Sequence, residues 1–369
     1  MTSIAVEKIN YTEENYRQQL DLKLEKFRLG LSVFGEYPVE VHESVRLGFR
    51  MRAEFRIWHE AGRAHYAMNN PGEKRPYIVD EFPIASSLIT NMMGQLLSEI
   101  NKIDIIRNRL FSAEFLTTLS GETLVTLIYH KPLDHKWENE ARLLESRLSI
   151  LIIGRARKQK VILTRDFVTE KLSVGNKKYL YQQKESGFTQ PNAMVNINML
   201  EWASSVCSVF DKKSDLLELY CGNGNFTAVL AQHFNRVLAT EVSKVSVASA
   251  EANFILNEIK NIAVVRLSSE EITEALEGKR PFRRLKEHDL STYKFSTVFV
   301  DPPRSGLDID TENFIKEFTN IIYISCNPTT LISNLSTLTK THNIAKVAAF
   351  DQFPWTDHLE TGVFLSKSN

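Results

Sequence analysis

The stretch "LLELYCGNGNFT", residues 216–227, decides the fold class of this chain. A run of apolar residues that favour a strand leads into a turn containing Gly222 and Gly224, and a helical pattern begins directly afterwards. Glycines in such a turn let the backbone approach a ligand closely, because no Cβ intervenes. The spacing is not G-x-G-x-x-G and no Lys-Ser/Thr follows, which argues against pyrophosphate and P-loop sites. The stretch predicts a strand, turn and helix at a nucleotide-type site.

The chain after residue 215 keeps alternating between short apolar runs and helical stretches. The predicted strands are "DLLELY" (215–220), "RVLATE" (236–241), "AVVRL" (263–267), "STVFVD" (296–301), "IIYIS" (321–325) and "AKVAAF" (345–350). Amphipathic stretches such as 242–257 and 328–340 lie between them. This alternation predicts a doubly wound α/β domain with a parallel sheet. The last run, "TGVFLS" (361–366), is expected to add an edge strand.

The first 190 residues have a different pattern. "FRMRAEFRIW" (49–58) alternates between apolar and charged residues, as a half-buried strand does. "FLTTLSGETLVTLIYH" (115–130) predicts a hairpin around Ser120-Gly121-Glu122. These patterns indicate an antiparallel α+β domain. A chain of 369 residues is long for one core, so we expect two domains, 1–190 and 191–369.

Composition narrows the class of protein. The formal net charge is zero, but residues 1–190 are net basic and the remainder is net acidic, which is weak evidence for a polyanion partner of the first part. Three widely spaced cysteines supply neither a disulfide framework nor a zinc or iron–sulfur motif. The N-terminus lacks a signal-peptide pattern, and no apolar run approaches the length of a membrane span. We expect a cytoplasmic protein that does not enter a membrane and holds no metal.

Two carboxylates mark the predicted ligand crevice. Glu241 ends the second predicted strand, 19 residues after Gly222, where a carboxylate can accept hydrogen bonds from both ribose hydroxyls. A glycine turn with this acid fits an adenosine-containing cofactor, and the missing pyrophosphate motif favours S-adenosylmethionine over a dinucleotide. Asp301 opens "DPPRSG" at the end of another predicted strand. Because ligands bind at the carboxyl ends of the strands of such a sheet, Tyr220, Glu241, Asp301 and Cys326 should converge.

Cys326, in "ISCNP" (324–328), has three possible roles: a buried apolar residue, a metal ligand or a nucleophile. The lack of ligand spacing argues against a metal, and a position at the crevice makes burial less favoured. Glu360, taken alone, is more often a solvated carboxylate than a base. His358 nearby does not make a metal site without further ligands.

Several ordered motifs carry a resemblance to a known family. They are "FTQPN" (188–192), "LLELYCGNGNF", "VDPPRSGLD", "YISCNP" and "DQFPWTDHLE" (351–360). Together with "RMRAEFRIWH" (50–59) and "IIGRA" (152–156), they resemble the S-adenosylmethionine-dependent RNA 5-methyluridine methyltransferases over nearly the whole chain. Relatives that modify ribosomal RNA typically carry an oligonucleotide-binding module and a four-cysteine iron–sulfur site. This chain has neither, so it is most similar to the branch that modifies tRNA.

The resemblance implies a C-terminal Rossmann-like class I methyltransferase domain and an N-terminal α+β RNA-binding domain. It implies that S-adenosylmethionine is the cofactor and that C5 of uridine 54 in the tRNA T arm is methylated to 5-methyluridine. The residues at the family's cofactor-binding places, with Gly222 from the turn itself, are Gln190, Tyr220, Gly222, Asn225, Glu241 and Asp301. Cys326 takes the place of the nucleophile and Glu360 that of the base. Trp355 and Asp357 depart from the expected residues without touching these roles.

This chemistry explains why a cysteine and a carboxylate are needed. C5 of uracil is a weak nucleophile until a thiolate adds to C6 and forms an enolate. After methylation a base must remove the C5 proton before the thiolate can leave. Arg304, Asn327 and Asp301 are candidates for stabilising the enolate, and the sequence does not rank them.

RNA contacts are expected from the first domain. Arg50, Arg52 and Arg56 share a strand face suited to phosphates, although such a face is as often simply solvated. Phe111 and Phe188 are candidates to stack against a flipped base, or are core residues.

The expected partner is the tRNA T arm, with other RNAs that have a T-arm-like loop as further candidates, and no obligate protein partner is inferred. Two alternatives stay open from the sequence. One is a methyltransferase that uses the same chemistry on ribosomal RNA, and the other is an RNA-binding or chaperone protein that retains a cofactor domain.

Overall fold

The protein is described by a computed structural model that covers residues 9–70, 72 and 75–368. The outer limits of the two predicted domains, residues 1 and 369, lie outside the described residues. The described residues form two compact units. The first contains residues up to Asn15, Val45–Lys171 and Gln182–Ala193, and the second contains Tyr16–Ser44, Leu172–Tyr181 and the chain from Met194 onward.

The helices and strands are as follows in chain order. The strands are β1 Val39–His42, β2 Arg52–Glu60, β3 Arg63–Met68, β4 Tyr77–Ile78, β5 Leu110–Thr117, β6 Thr123–Tyr129, β7 Leu151–Ala156, β8 Gln159–Ile162, β9 Phe167–Val174, β10 Lys177–Lys184, β11 Asp215–Leu219, β12 Val237–Thr240, β13 Ile262–Val265, β14 Phe295–Val300, β15 Asn320–Ser325, β16 His342–Phe350 and β17 Glu360–Lys367. The α-helices are α1 Glu13–Leu31, α2 Ser87–Lys102, α3 Asp104–Arg107, α4 His135–Leu148, α5 Ala193–Cys207, α6 Asn225–Leu230, α7 Lys244–Leu256, α8 Ser269–Leu276, α9 Ile309–Ile315 and α10 Pro328–Leu338.

The first unit is built on a mainly antiparallel sheet with the order β4-β3-β2-β5-β6-β7-β8. The alternation predicted for β2 is confirmed, because Ala53, Phe55 and Ile57 are buried while the intervening charged residues are half-buried or exposed. The predicted hairpin is confirmed as β5 and β6, joined by a turn in which Gly121 has a φ of 96°. Helices α2 and α4 contribute Leu96 and Trp137 to the same core.

The second unit contains the predicted α/β sheet, with the order β1-β16-β17-β15-β14-β11-β12-β13. All six strands predicted after residue 215 are present, with ends shifted by up to three residues. The expectation that "TGVFLS" forms an edge strand is wrong. That segment, β17, lies between β15 and β16 and is antiparallel to both. Its residues Glu360–Val363 are all buried, which an interior strand requires and an edge strand does not.

The boundaries of the two compact units also differ from the single predicted boundary at residue 190. The short strand β1 pairs in parallel with β16 at the edge of the second unit's sheet. Helix α1 buries Leu20, Leu24 and Phe27, and all three belong to the second unit. The N-terminal residues 16–44 therefore complete the α/β unit. The sequence did not show this, because neither segment has a local pattern that identifies a partner so distant in the chain.

The direction of the strands brings the predicted site residues to one edge. Strands β12, β11, β14 and β15 lie side by side in this order, and each pair of neighbours is parallel. Their carboxyl ends therefore lie on the same edge of the sheet. Because β17 is antiparallel to β15, its first residue lies at that edge too. Within the described residues, no helix has both the length and the apolar character needed to cross a membrane.

Candidate active site

The turn after β11 is shaped by left-handed backbone conformations. Tyr220, Gly222 and Gly224 have φ values of 61°, 55° and 79°, and α6 begins at the next residue. At Gly224 a Cβ would stand 2.6 Å from the ring of Phe254, so glycine is needed both for its conformation and for space. The turn brings the backbone of 220–224 to the edge where the strands end.

Glu241 is fixed beside this turn. It follows β12 directly, and its carboxylate accepts hydrogen bonds from the backbone N–H of Gly222, at 3.1 Å, and of Ser243, at 2.7 Å. A carboxylate offers about four acceptor positions, so capacity remains for hydroxyl donors. The arrangement suits a ribose with two neighbouring hydroxyl groups.

A pocket of about 490 Å³ opens next to Glu241. Its lining includes Tyr220, Ser269, Leu307 and Asp308. The Tyr220 hydroxyl donates to Ser269 Oγ at 2.8 Å, which holds the ring at the wall of the pocket. The volume lies in the range typical of small-molecule sites. An aromatic wall beside a ribose-binding carboxylate fits an adenosine-containing cofactor.

Asp301 follows β14 at the same edge. Burial raises the pKa of its carboxyl group to about 7. Among the described residues, no hydrogen bond to this half-buried carboxylate is found. Its acceptor positions are therefore open to a ligand, and Asp301 fits a donor or cation of the cofactor.

Two other predicted cofactor residues have different surroundings. The side-chain amide of Asn225 exchanges hydrogen bonds with that of Asn196, at 2.8 and 3.1 Å, which joins α6 to α5. Gln190 belongs to the first compact unit. The predicted contacts of Gln190 and Asn225 with the cofactor stay predictions.

Cys326 and Glu360 are brought together by the register of β15 and β17. Ser325 is paired with Thr361, and Cys326 and Glu360 each lie one residue beyond that pair on the same side. Cys326 is half-buried, whereas Cys207 and Cys221 are buried. Among the residues that the structure describes, no group of three or more His, Cys, Asp or Glu side chains is placed to hold a metal ion.

The carboxylate of Glu360 acts electrostatically on Cys326. The pKa of the Cys326 thiol is raised to about 11, mainly by burial and then by the nearby Glu360 and Asp301, whereas Arg304 opposes this. The Glu360 carboxyl is buried, and burial together with Asp301 holds its pKa well above the usual range, again against Arg304. Arg304 is therefore a cation that favours the charged forms of both groups.

Cys326 faces a second pocket of about 390 Å³, whose lining includes Lys23, Arg304, Asn327 and His358. Arg304 Nη2 lies 3.3 Å from His358 Nε2. Burial and Arg304 lower the pKa of His358, so the imidazole is neutral and accepts this hydrogen bond. Asn327 instead caps α10 by accepting from Thr329 N–H, and its amide donates to the Arg304 carbonyl. These contacts favour Arg304 over Asn327 for stabilising an anion in the pocket.

The sequence motifs did not identify Lys23 as a site residue, although Lys23 lines the same pocket as Cys326. The signal that identifies it is its position within the apolar stripe of α1, at helical spacing from Leu20 and Phe27. A lysine on a buried helix face needs a partner.

The predicted RNA contacts in the first unit fall into two groups. Arg52 donates to the carbonyls of Gly187, at 2.8 Å, and Glu185, at 2.7 Å, and Arg50 Nε donates to the Arg52 carbonyl at 2.9 Å. Both guanidinium groups thus have internal acceptors, which differs from the open phosphate-binding face expected from the alternation. The pKa of Arg50 is lowered by burial.

The second group, Arg56, Phe111 and Phe188, has more accessible side chains. Arg56 is exposed, with Cζ 5.7 Å from the centre of the Phe111 ring. The Phe111 ring also stacks on the ring of His130, with centroids 4.1 Å apart. Phe188 is 73% exposed, so it is not a core residue. The half-buried Phe111 ring beside Arg56 and the exposed Phe188 ring are of the types found on surfaces that bind single-stranded bases.

The fold, together with a pocket suited to adenosine at the carboxyl ends of the strands, is that of a Rossmann-like S-adenosylmethionine-dependent methyltransferase. The family model of tRNA (Uracil-5-)-methyltransferase matches residues 15–368. The chain belongs to this tRNA (uracil-5-)-methyltransferase family.

Curated relatives agree over nearly their full lengths. The tRNA/tmRNA (uracil-C(5))-methyltransferase of Saccharophagus degradans is 53% identical over 355 residues, covering 96% of this chain and 97% of that protein. The protein of the same name from Cellvibrio japonicus is 51% identical over 358 residues, covering 97% of each. The crystal structure of Pyrococcus abyssi tRNA (uracil-54, C5)-methyltransferase in complex with S-adenosyl-L-homocysteine aligns with a TM-score of 0.71 at 21% identity, covering 95% of this chain and 83% of that one. That likeness shows the shared fold.

Proposed function

We propose that this enzyme transfers a methyl group to C5 of uridine 54 in the T arm of tRNA through a covalent adduct between Cys326 and C6, with Glu360 as the base. The observation that carries the proposal is the convergence of Cys326 and Glu360 at the edge of the sheet where the adenosine-type pocket lies. The name of the Pyrococcus abyssi protein supports position 54. The names of the bacterial relatives support tRNA and, as a further substrate, tmRNA.

In the first step the Cys326 thiol loses its proton to solvent, and Sγ bonds to C6 of the uracil. The electron pair of the C5–C6 double bond moves toward O4, giving an enolate. A pKa of about 11 means that the free enzyme holds the thiol form at neutral pH, so the thiolate has to be stabilised in the complex. Arg304, in the same pocket, is placed to favour both the thiolate and the enolate.

S-adenosylmethionine supplies an electrophilic methyl group when bound. Glu241 would hold its ribose hydroxyls, the Tyr220 ring would pack against it, and Asp301 would accept a hydrogen bond from one of its polar groups. In the second half of the reaction Glu360 removes the C5 proton. The electrons of that C–H bond restore the C5–C6 double bond and expel the Cys326 thiolate. The net change at the base is a methyl group in place of one proton.

A raised pKa suits Glu360 for this work. Glu360 has to lose its own proton before it acts, and Arg304 favours the ionised form. Once ionised, a carboxylate with a raised pKa binds a proton more tightly, which makes it a stronger base than an ordinary glutamate. Its burial is the main cause of the shift.

RNA recognition is assigned mainly to the first unit. Arg56, Phe111 and Phe188 are proposed to contact the T arm, since their side chains remain accessible. The division of labour between residues 1–190 and 191–369, the absence of an obligate protein partner and the cytoplasmic location remain predictions. A purely RNA-binding role is disfavoured by the presence of both Cys326 and Glu360.

The test uses labelled S-adenosylmethionine and unmodified tRNA transcripts. Wild-type protein and the buried-cysteine control Cys207→Ala should label tRNA at C5 of uridine 54, and Cys326→Ala should not. A transcript with cytidine at position 54 should remain unlabelled. Labelling by Cys326→Ala at the wild-type rate would contradict the nucleophile, labelling of the cytidine transcript would contradict the position, and activity on ribosomal RNA alone would contradict the substrate.

A further inference from the structure

Helix α1 carries a lysine in its buried stripe. Lys23 lies between Leu20 and Phe27 on the face that packs into the second unit, and its side chain is only 5% exposed. Burial lowers the pKa of Lys23, and the carboxylate of Asp351 opposes this change. A buried ammonium group is tolerated only when it is paired and hydrogen-bonded, so the identity of its partners reveals what the lysine does.

Both partners of Lys23 belong to the segment that precedes Glu360. Lys23 Nζ donates to Asp351 Oδ1 at 2.8 Å and to the carbonyl of Phe353 at 3.0 Å. The Asp351 side chain is fully buried. Asp351 is the first residue after β16, and Glu360 is the first residue of β17. We call residues 351–359 the base loop, because they lead directly to the proposed base.

The pairing of β16 with β17 brings the two ends of the base loop together. Phe350 is paired with Glu360 across β16 and β17, so Asp351 and Leu359 leave the sheet side by side. The loop contains no helix or strand of its own. Its conformation therefore depends on side-chain contacts and on the elements packed against it.

Helix α1 makes three such contacts from successive turns. Besides the Lys23 ion pair, Gln19 Oε1 accepts a hydrogen bond from the Trp355 backbone N–H at 2.5 Å. The Tyr16 ring packs against the Trp355 ring with centroids 5.9 Å apart. Trp355 has a φ of 65°, a left-handed conformation that is strained in a tryptophan and has to be held by its surroundings.

We infer that Lys23 is a positioning residue for the reaction: with Gln19 and Tyr16 it anchors the base loop to α1 and thereby fixes Glu360 opposite Cys326 in the register of β15 and β17. The inference rests on the proposed function, since it takes Glu360 to be the base. Lys23 need not touch the uracil, because it acts through the loop. This makes α1 part of the catalytic unit.

The order of the chemical steps makes the inference testable. Cys326 acts before methyl transfer and Glu360 acts after it. Loosening the base loop should therefore leave adduct formation nearly unchanged and slow adduct breakdown. A merely structural role for Lys23 would lower both rates together, or would lower the amount of folded enzyme.

The experiment follows the covalent RNA–protein adduct on denaturing gels after rapid mixing of the enzyme, S-adenosylmethionine and unmodified tRNA. Lys23→Met keeps the length of the side chain and removes its charge. We expect its adduct to form at the wild-type rate and to break down about tenfold to a hundredfold more slowly. Gln19→Ala, which leaves the buried ion pair intact, should show a smaller change in the same direction. Arg28→Met, on the exposed face of α1, is the matched control and should behave as wild type.

Two further variants separate the possible failures. Glu360→Gln should accumulate adduct, and if it does not, the proposed function itself fails. If Glu360→Gln accumulates adduct while Lys23→Met and Gln19→Ala break it down at the wild-type rate, the inference about α1 is overturned. Should Lys23→Met not fold, Gln19→Ala decides alone. Retained binding of S-adenosylhomocysteine, together with a wild-type circular dichroism spectrum at the assay temperature, shows that the variants compared are folded.

Discussion

Cys326 and Glu360 lie opposite each other one step beyond the last paired residues of β15 and β17, although they are 34 residues apart in the chain. This relationship exists only because β17 runs antiparallel between β15 and β16. A final strand at the edge of the sheet would not have brought the carboxylate to the thiol. The position of one strand thus places the proposed nucleophile and the proposed base at neighbouring strand ends.

Replacing Glu360 by Gln should stop the reaction after methyl transfer. Glutamine has nearly the same shape but does not accept the C5 proton, so the methylated base stays bonded to Cys326. A denaturing gel should show a stable RNA–protein band that carries the labelled methyl group. Glu317→Gln, at an exposed position, is the control and should give no such band. Free methylated tRNA produced by Glu360→Gln at the wild-type rate would rule out the assigned base.

The reactivity of Cys326 should depend steeply on pH. Because its pKa is raised to about 11, the thiolate is a minor species at neutral pH and increases about tenfold with each pH unit below that value. Alkylation of Cys326 by iodoacetamide, followed by peptide mass spectrometry, should show this slope in the free enzyme. Removing the cation in Arg304→Met should raise the pKa further and slow alkylation at every pH on the slope. Faster alkylation of Arg304→Met would contradict the electrostatic role given to Arg304.

Loss of the Glu241 carboxylate should weaken cofactor binding. Two ribose hydroxyls lose a charged acceptor, and hydrogen bonds to charged groups are worth about 1.5–3 kcal/mol. Calorimetry with S-adenosylhomocysteine should show affinity lower by at least about tenfold for Glu241→Ala. Glu251→Ala, on the exposed side of α7, should bind as wild type. Equal affinity of the two variants would place the ribose elsewhere.

Replacing Gly224 and Gly94 by alanine should change the free energy of unfolding in opposite directions. Alanine at 224 adopts a left-handed conformation at a cost and meets the Phe254 ring, so we expect a loss of about 1–3 kcal/mol in the free energy of unfolding. Gly94 lies in α2 with open space around it, and alanine there should gain roughly 0.5–1 kcal/mol. Chemical denaturation monitored by circular dichroism measures both. A neutral Gly224→Ala would mean that the turn adapts.

Replacing Arg52 should lower the stability of the protein, whereas replacing Arg56 should weaken its binding to RNA. Arg52→Met removes the donors to two backbone carbonyls, so it should lower the melting temperature. Arg56→Met leaves no buried acceptor unpaired and should instead weaken tRNA binding, with a shallower salt dependence. Filter binding at several salt concentrations tests this. If Arg56→Met bound tRNA as wild type while Arg52→Met retained its stability, both assignments would be wrong.

The local pattern of the chain was enough to predict most of the α/β sheet. Six strands and the glycine turn were predicted because each has its own apolar run and boundary signals. The position of β17 was not, because an apolar run shows that a strand is buried and does not show which neighbours it pairs with. Strand β1 is only four residues long, which is too short for a clear pattern.

The site shows the same limit. Cys326, Glu241 and Asp301 each follow a predicted strand, so the parallel sheet itself predicts that they converge. Lys23 does not follow from such reasoning, because its partner Asp351 lies 328 residues further along the chain. The carbonyl acceptors of Arg52 lie 133 and 135 residues further along the chain, so the local pattern of its strand did not predict them either.

The pairing of β1 with β16 has a consequence for how the protein is made. Val39 leaves the ribosome early, and its partner Val347 follows about 300 residues later, a separation that slows folding. At typical synthesis rates of about 5–20 residues per second, this early segment waits many seconds for its place in the sheet. The first compact unit can assemble during that interval, whereas the methyltransferase sheet is completed only after β16 and β17 have emerged. The nascent enzyme therefore remains without a finished active site until β16 and β17 have left the ribosome.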